Sequence, residues 1–282
     1  MTRNALTVDV EDYFHVSGFA GAINRNDWDS HPLRVDRNTG RLLDLFDLSQ
    51  VKATFFVLGW VAERLPDLVR EIAYRGHEVA CHGYSHELVY RQSPEVFREE
   101  TLRSKALLED ITQSPVRGYR AASYSITGRS LWALDILAEA GFVYDSSIFP
   151  VRHDRYGIPG SPDYPHELKA PGGCTLIEFP LSTARVLGYR LPVAGGGYFR
   201  LYPYIVTKLG LGQINGKNRP FIFYLHPWEI DPDQPRISAS RMSRFRHYNN
   251  LEKCEARLKR LMDDFSFGTA WDVLTDLDLV SE

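Results

Sequence analysis

Apolar residues fall along the chain in two alternating rhythms. Short β-branched or aromatic runs at residues 6–10, 53–58, 78–81, 116–120, 142–144, 175–179 and 221–225 read as buried strands. Between several of them the spacing changes to three and four residues, over 41–48, 61–75, 94–111 and 129–140, which predicts amphipathic helices. Ser93 before Pro94 marks a helix start, because proline gives up no hydrogen bond at the first helical position. Gly76 and Gly141 stand where a helix ends and a strand begins. Strands alternating with helices predict an α/β fold on a parallel sheet, open or closed into a barrel. Residues 149–173, rich in proline and glycine, are expected to form a long surface loop of the kind that lines binding sites. Residues 231–244 are polar and loop-like. Asn250 then caps a last helix with Leu251, Cys254, Leu258, Leu261, Met262 and Phe265 on one face. With no repeat or linker, residues 1–282 are expected to form one domain, a core over 1–230 and an extension, 231–282, packed on it.

Composition narrows the partners. The 282 residues are 44% hydrophobic and 24% charged, enough apolar content for a large core, which removes disordered and fibrous readings. Lys and Arg number 33 against 36 Asp and Glu, a net charge of −3, and no basic block stands out, so nucleic acid is not an expected partner. The longest stretch without a charged side chain, residues 13–24, falls short of the roughly 18 residues of a membrane span. The chain starts directly on a strand-like segment without an apolar signal region, so a cytoplasmic location is expected. Cys81, Cys174 and Cys254 form no C-x-x-C, which argues against a disulfide framework or a thiolate zinc site.

Chemistry gathers at the carboxyl ends of the predicted strands, where α/β folds place their sites. The first strand ends in Asp9-Val10-Glu11-Asp12 and the third runs into His82-Gly83-Tyr84-Ser85-His86. The fourth, fifth and seventh end at Arg120, Asp145 and His226. His82 and His86, four residues apart, can present two imidazoles to one ion if the segment forms a helical turn. One carboxylate from the first strand completes a two-His, one-carboxylate face with positions open for water and substrate. A second carboxylate beside it serves as base, and Arg120 is the cation that keeps paired acids ionised. His226 is available as general acid, with Asp145 to hold its tautomer. This set fits metal-assisted hydrolysis of an amide or ester.

These residues resemble the polysaccharide deacetylases, the NodB-homology or carbohydrate esterase family 4 enzymes. The first family motif, T-F-D-D, is similar to Thr7-Val8-Asp9-Val10-Glu11-Asp12, and H-[ST]-x-x-H to His82 through His86. R-x-P appears as Arg120-Ala121-Ala122, the fourth motif as Tyr144-Asp145-Ser146-Ser147, and the last, Leu-His, as Leu225-His226. The runs 8–14, 226–232 and 244–248 look like the exosortase-associated exopolysaccharide deacetylases. The resemblance implies a distorted (β/α)7 barrel and removal of N-acetyl groups from an amino-sugar polymer, an exopolysaccharide or its lipid-linked precursor. It implies a divalent ion, zinc, on His82, His86 and either Glu11 or Asp12, with Asp9 as base and His226, backed by Asp145, as acid. Arg120 then orients Asp9, and the backbone N–H of Ser123 helps hold the oxyanion. Tyr13, Phe14, Tyr84, Tyr124, Tyr198 and Trp228 are candidates for sugar stacking, and Gly195-Gly196-Gly197 reads as a flexible turn beside the groove.

Two departures stand out. Val10 replaces the motif's metal-binding aspartate, so the ligand moves to Glu11, which shares a strand face with Asp9, or to Asp12 if the strand ends or bulges at Val10. Ala122 replaces the proline of R-x-P. Rival readings are a metal-free amidohydrolase of the same fold, an iron oxygenase and a non-catalytic sugar-binding protein. The intact His82/His86 pair opposes the first, the βα alternation the second, and the presence of both Asp9 and His226 the third.

Overall fold

The computed structural model describes residues 2–153 and 155–281. Its first half runs β1 (Arg3–Val10), α1 (Val35–Leu48), β2 (Thr54–Val57), α2 (Gly59–Arg64), α3 (Pro66–Tyr74) and β3 (Glu78–Cys81). It continues through α4 (Pro94–Thr112), β4 (Gly118–Tyr119), α5 (Trp132–Glu139) and β5 (Tyr144–Asp145). Next come β6 (His166–Lys169), β7 (Thr175–Glu178), β8 (Thr183–Val186), β9 (Tyr189–Pro192), α6 (Gly196–Leu201), α7 (Tyr204–Asn215) and β10 (Ile222–Leu225). The chain closes with α8 (Arg241–Tyr248), α9 (Leu251–Asp264), β11 (Ser266–Gly268) and α10 (Ala270–Asp276).

The main sheet has the order β10-β1-β2-β3-β4-β5-β7-β6, parallel except for the edge strand β6, and β11 pairs with the start of β1. Each of the seven expected runs contributes one of the parallel strands. Their apolar residues are nearly continuous because strands of such a sheet are covered on both faces: β2 and β10 are buried throughout, and β1 from Asn4 onward. Between β7 and β10 no ladder forms; the backbone N–H of Ile222 instead donates to Ser182 Oγ at 3.0 Å. Beside this seam Gly195 makes a backbone bridge to Tyr224. The architecture is the distorted (β/α)7 barrel.

Several local expectations change. A Cβ at Gly195, φ 132°, would lie 1.9 Å from the Tyr224 carbonyl oxygen, so this glycine answers a close backbone approach rather than forming a flexible turn. The helix expected over 61–75 is two, α2 and α3, because Pro66 pushes Leu65 out of helical backbone. Residues 149–173 contain β6, and 231–244 lead into α8. Asn250 does not cap α9 with its side chain; at φ 51° its amide donates to the Arg200 carbonyl at 2.9 Å. The extension is tied to the core by β11 on β1 and by α10, packed against the same strand.

Candidate active site

β1 delivers Asp9 and stops at Val10, where the Glu11 N–H donates to the Asp9 carbonyl at 2.9 Å in a three-residue turn. That turn brings the Glu11 carboxylate to the mouth of the barrel beside Asp9. Asp12 points elsewhere. Its Oδ2 accepts the N–H groups of Arg34 and Val35, at 2.6 and 2.9 Å, and Oδ1 accepts that of Tyr13 at 2.8 Å. It therefore satisfies donors at the start of α1, and burial raises its pKa to about 6.

His82 follows β3 directly. Residues 82–86 are not a helical turn: Gly83 and His86 both have left-handed backbone, at φ 73° and 52°. The N-terminal N–H groups of α2, on Gly59 and Trp60, donate to the carbonyls of Gly83 and Tyr84 and hold this loop. Its two imidazoles stand 5.4 Å apart, and one ligand atom each from Glu11, His82 and His86 falls within 4.8 Å of the others. Nδ1 of His82 donates to the Arg120 carbonyl at 2.8 Å, which leaves Nε2 as a lone-pair donor. Burial pushes His82 down to about 4 and so keeps it in the neutral, ligating form. Burial alone would raise Glu11, but His86 and His226 outweigh it and hold the carboxyl well below the usual range. Its Oε2, 2.6 Å from His86 Nε2, is buried without a properly directed hydrogen bond. Two imidazoles and an under-satisfied carboxylate are a donor set suited to a divalent ion.

Arg120, with no exposed surface, directly follows β4 and directs its guanidinium to four acceptors. These are Asp9 Oδ1 at 2.6 Å, Thr7 Oγ1 at 2.8 Å, and the Ser146 carbonyl and hydroxyl at 3.2 and 3.0 Å. Asp145 supports this arrangement from behind and is not the partner of His226. Its register neighbour across β5 and β7 is the buried Glu178, and it accepts from Ser147 Oγ at 2.5 Å, while that hydroxyl accepts the Ala121 N–H. Burial raises Asp145 to about 6.

The carboxylate that holds His226 is Glu229. Its Oε1 lies 2.8 Å from His226 Nδ1 and accepts the backbone N–H of the same residue at 3.0 Å. Glu229 Oε2 in turn accepts from the buried Arg200 at 2.6 Å, and Arg200 also donates to the carbonyls of Arg246, His247 and Asn249. Burial alone would lower His226, but Glu11 and Glu229 outweigh it and raise it to about 9. Its Nε2 faces Glu11 Oε1 at 3.4 Å and Asp9 Oδ2 at 3.9 Å.

A cleft of about 220 Å³ opens over these groups, lined among others by Ser123, Tyr124, Tyr156, Tyr224 and Trp228. Ser123 and Tyr124 are consecutive left-handed residues, and Ser123 Oγ lies 2.8 Å from Ser17 Oγ. Trp228 is not an open sugar platform: its ring stacks on both His226 and His247, and its Nε1 donates to Glu11 at 3.3 Å. Tyr13 and Phe14 are core residues, while Tyr84 lies beneath the Arg103 guanidinium and donates to Glu63. Tyr198 sits behind the lining, its hydroxyl 3.3 Å from that of Tyr156. Glu229 and Arg200 had no assigned role in the sequence. The available signal was an acid three residues after His226, in a turn opened by Pro227.

Residues 27–144 match the family model described as polysaccharide deacetylase, and residues 146–275 match a domain of unknown function, DUF3473. Somewhat under half of the chain is thus similar to polysaccharide deacetylases. A chitooligosaccharide deacetylase of Bradyrhizobium is 28% identical over 184 residues, 58% of this chain and 82% of that protein. A peptidoglycan deacetylase of Helicobacter pylori is 32% identical over 108 residues, 38% of this chain, and only 36% of its length is covered. The crystal structure of a putative polysaccharide deacetylase from Mycobacterium smegmatis shares the fold, with a TM-score of 0.63 at 19% identity over 99% of this chain and 91% of that one.

Proposed function

We propose that the protein is a metal-dependent N-deacetylase of an amino-sugar polysaccharide, an exopolysaccharide or its lipid-linked precursor, treated in the cytoplasm before export. The observation that carries this reading is the Glu11, His82 and His86 cluster facing both Asp9 and His226. A divalent ion held by these three residues, zinc in this reading, supplies a Lewis acid for the acetyl carbonyl and lowers the pKa of water. Asp9, fixed through Oδ1 by Arg120, takes the proton of the attacking water on Oδ2. His226, fixed through Nδ1 by Glu229, gives its Nε2 proton to the sugar nitrogen as the C–N bond breaks. Acetate and a free amine result, and the proton taken by Asp9 balances the one given by His226. The Ser123 N–H contributes to the oxyanion site, while Tyr124 forms part of the wall that seats the sugar. Residues 1–282 act as one catalytic unit in this reading, since β11 and α10 of the extension complete the packing of β1.

The test is acetate release from a panel of N-acetylated oligosaccharides before chelation, after it, and with single metals restored. Turnover is expected to vanish with chelator and return with a divalent ion. Undiminished turnover in stripped protein selects the metal-free amidohydrolase instead.

A further inference from the structure

The near-neutral charge of the whole chain conceals a local excess. From 234 to 251 the sequence holds Arg236, Arg241, Arg244 and Arg246 and no Asp or Glu. Three of these arginines lie on α8, and Arg236 joins Arg241 and Arg244 on its outer side by lying 4.4 Å over the ring of Tyr248. The Tyr248 hydroxyl accepts the Ile237 N–H at 2.7 Å, which fixes the preceding loop against the helix. All four side chains are exposed, and none pairs with a carboxylate among the described residues. Between them, Met242 and Phe245 stand 58% and 54% exposed, three positions apart and so on one side of the helix. Arg236, Arg241, Arg244, Phe245 and Tyr248 line an open hollow of about 450 Å³.

We propose that α8 and the loop before it form a docking surface for an anionic lipid headgroup layer. A soluble polyanion satisfies arginines but leaves Met242 and Phe245 in water. A headgroup layer answers both, pairing with the guanidinium groups while the two apolar side chains enter the acyl boundary. The opposite side of α8 belongs to the cleft, which Ser243, Arg246 and His247 help to line. Docking through Arg241, Met242, Arg244 and Phe245 therefore leaves the cleft-lining side of the helix uncovered. No helix among the described residues is long and apolar enough to cross a membrane.

Vesicle binding is read without turnover, so this inference and the deacetylase reading fail separately. The full chain is sedimented with phosphatidylcholine vesicles and with vesicles that also contain phosphatidylglycerol, at low and high salt. Binding to the anionic vesicles alone, weakened by salt, is expected. Arg241→Glu with Arg244→Glu is expected to reduce it by about 30-fold or more. Phe245→Ser is expected to reduce it about tenfold without changing the salt dependence. Both variants should keep the parent's thermal melting and its acetate release from soluble oligosaccharide. Absence of binding, equal binding to neutral vesicles, or binding that survives the double charge reversal overturns the proposal. So does capture by soluble dextran sulfate with no vesicle binding, which would assign the patch to a polymer.

Discussion

Glu229 grips His226 twice, accepting its backbone N–H at 3.0 Å and lying 2.8 Å from its Nδ1. The carboxylate thus fixes the position of the ring and its tautomer with one oxygen. Glu229→Gln keeps the shape but removes the charge. It is expected to leave bound metal unchanged and to lower turnover by about 10²-fold. Metal analysis beside initial rates checks this, and full activity in the variant would remove Glu229 from the acid's support.

Glu11 and Asp12 are expected to separate in function as they do in space. Glu11→Ala is expected to lose both metal and turnover, as is His82→Ala, because each removes one atom of a three-atom donor set. Asp12→Ala should retain metal and instead lose about 1–2 kcal/mol of stability, through the donors it leaves open at the start of α1. Metal stoichiometry and urea unfolding on the three variants distinguish the roles.

Arg120 and Asp9 are coupled through burial. Arg120→Leu strands a carboxylate with no solvent to replace the guanidinium, at an expected cost of about 3–5 kcal/mol. Adding Asp9→Asn should recover part of that loss, since an amide is less costly to bury than an unpaired carboxylate. A double-mutant cycle in urea measures the coupling; strictly additive losses would deny it. Asp9→Asn alone is expected to keep metal and lose about 10²–10⁴-fold in rate.

Asp231 supplies the pH prediction. Burial alone would raise its pKa, but hydrogen bonds from Arg34 and Asn38 and the charge of Arg37 outweigh this and lower it. With the folded value depressed, its contribution is complete above the unfolded aspartate pKa of about 3.9 and is lost as pH falls through the folded value. Asp231→Asn should therefore cost about 1–3 kcal/mol at neutral pH, with the gap from the parent narrowing in acid. A gap that stays constant down to pH values below the aspartate range would contradict this.

The barrel was legible because buried parallel strands write themselves as dense apolar runs; β1, β2 and β10 are such runs. Strands β6, β8, β9 and β11 were not, being short and half-exposed or spaced by charged residues, as in Ser266–Gly268 and Thr183–Val186. Asp9, His82, His86, Arg120 and His226 sit at strand ends, where sequence position alone implies convergence. The partner of His226 was harder, because Asp145 and Glu229 are both acids near strand ends and only the fold of the turn after β10 selects between them. Likewise, alternation along a strand could not decide Glu11 against Asp12 once the strand stopped at Val10.

The two family-matched segments, 27–144 and 146–275, meet at β5, in the middle of a continuous sheet. The boundary therefore falls within a strand of that sheet. A chain ended there would expose the β5 edge that β7 normally covers, an open template for association with other copies. It would also lack the proton donor proposed above, because His226, Glu229 and Arg200 all arrive with the later segment. Asp9 itself precedes both segments, on β1, so a shift in the register of the β1–β10 pairing would misalign it with His226 of the later segment.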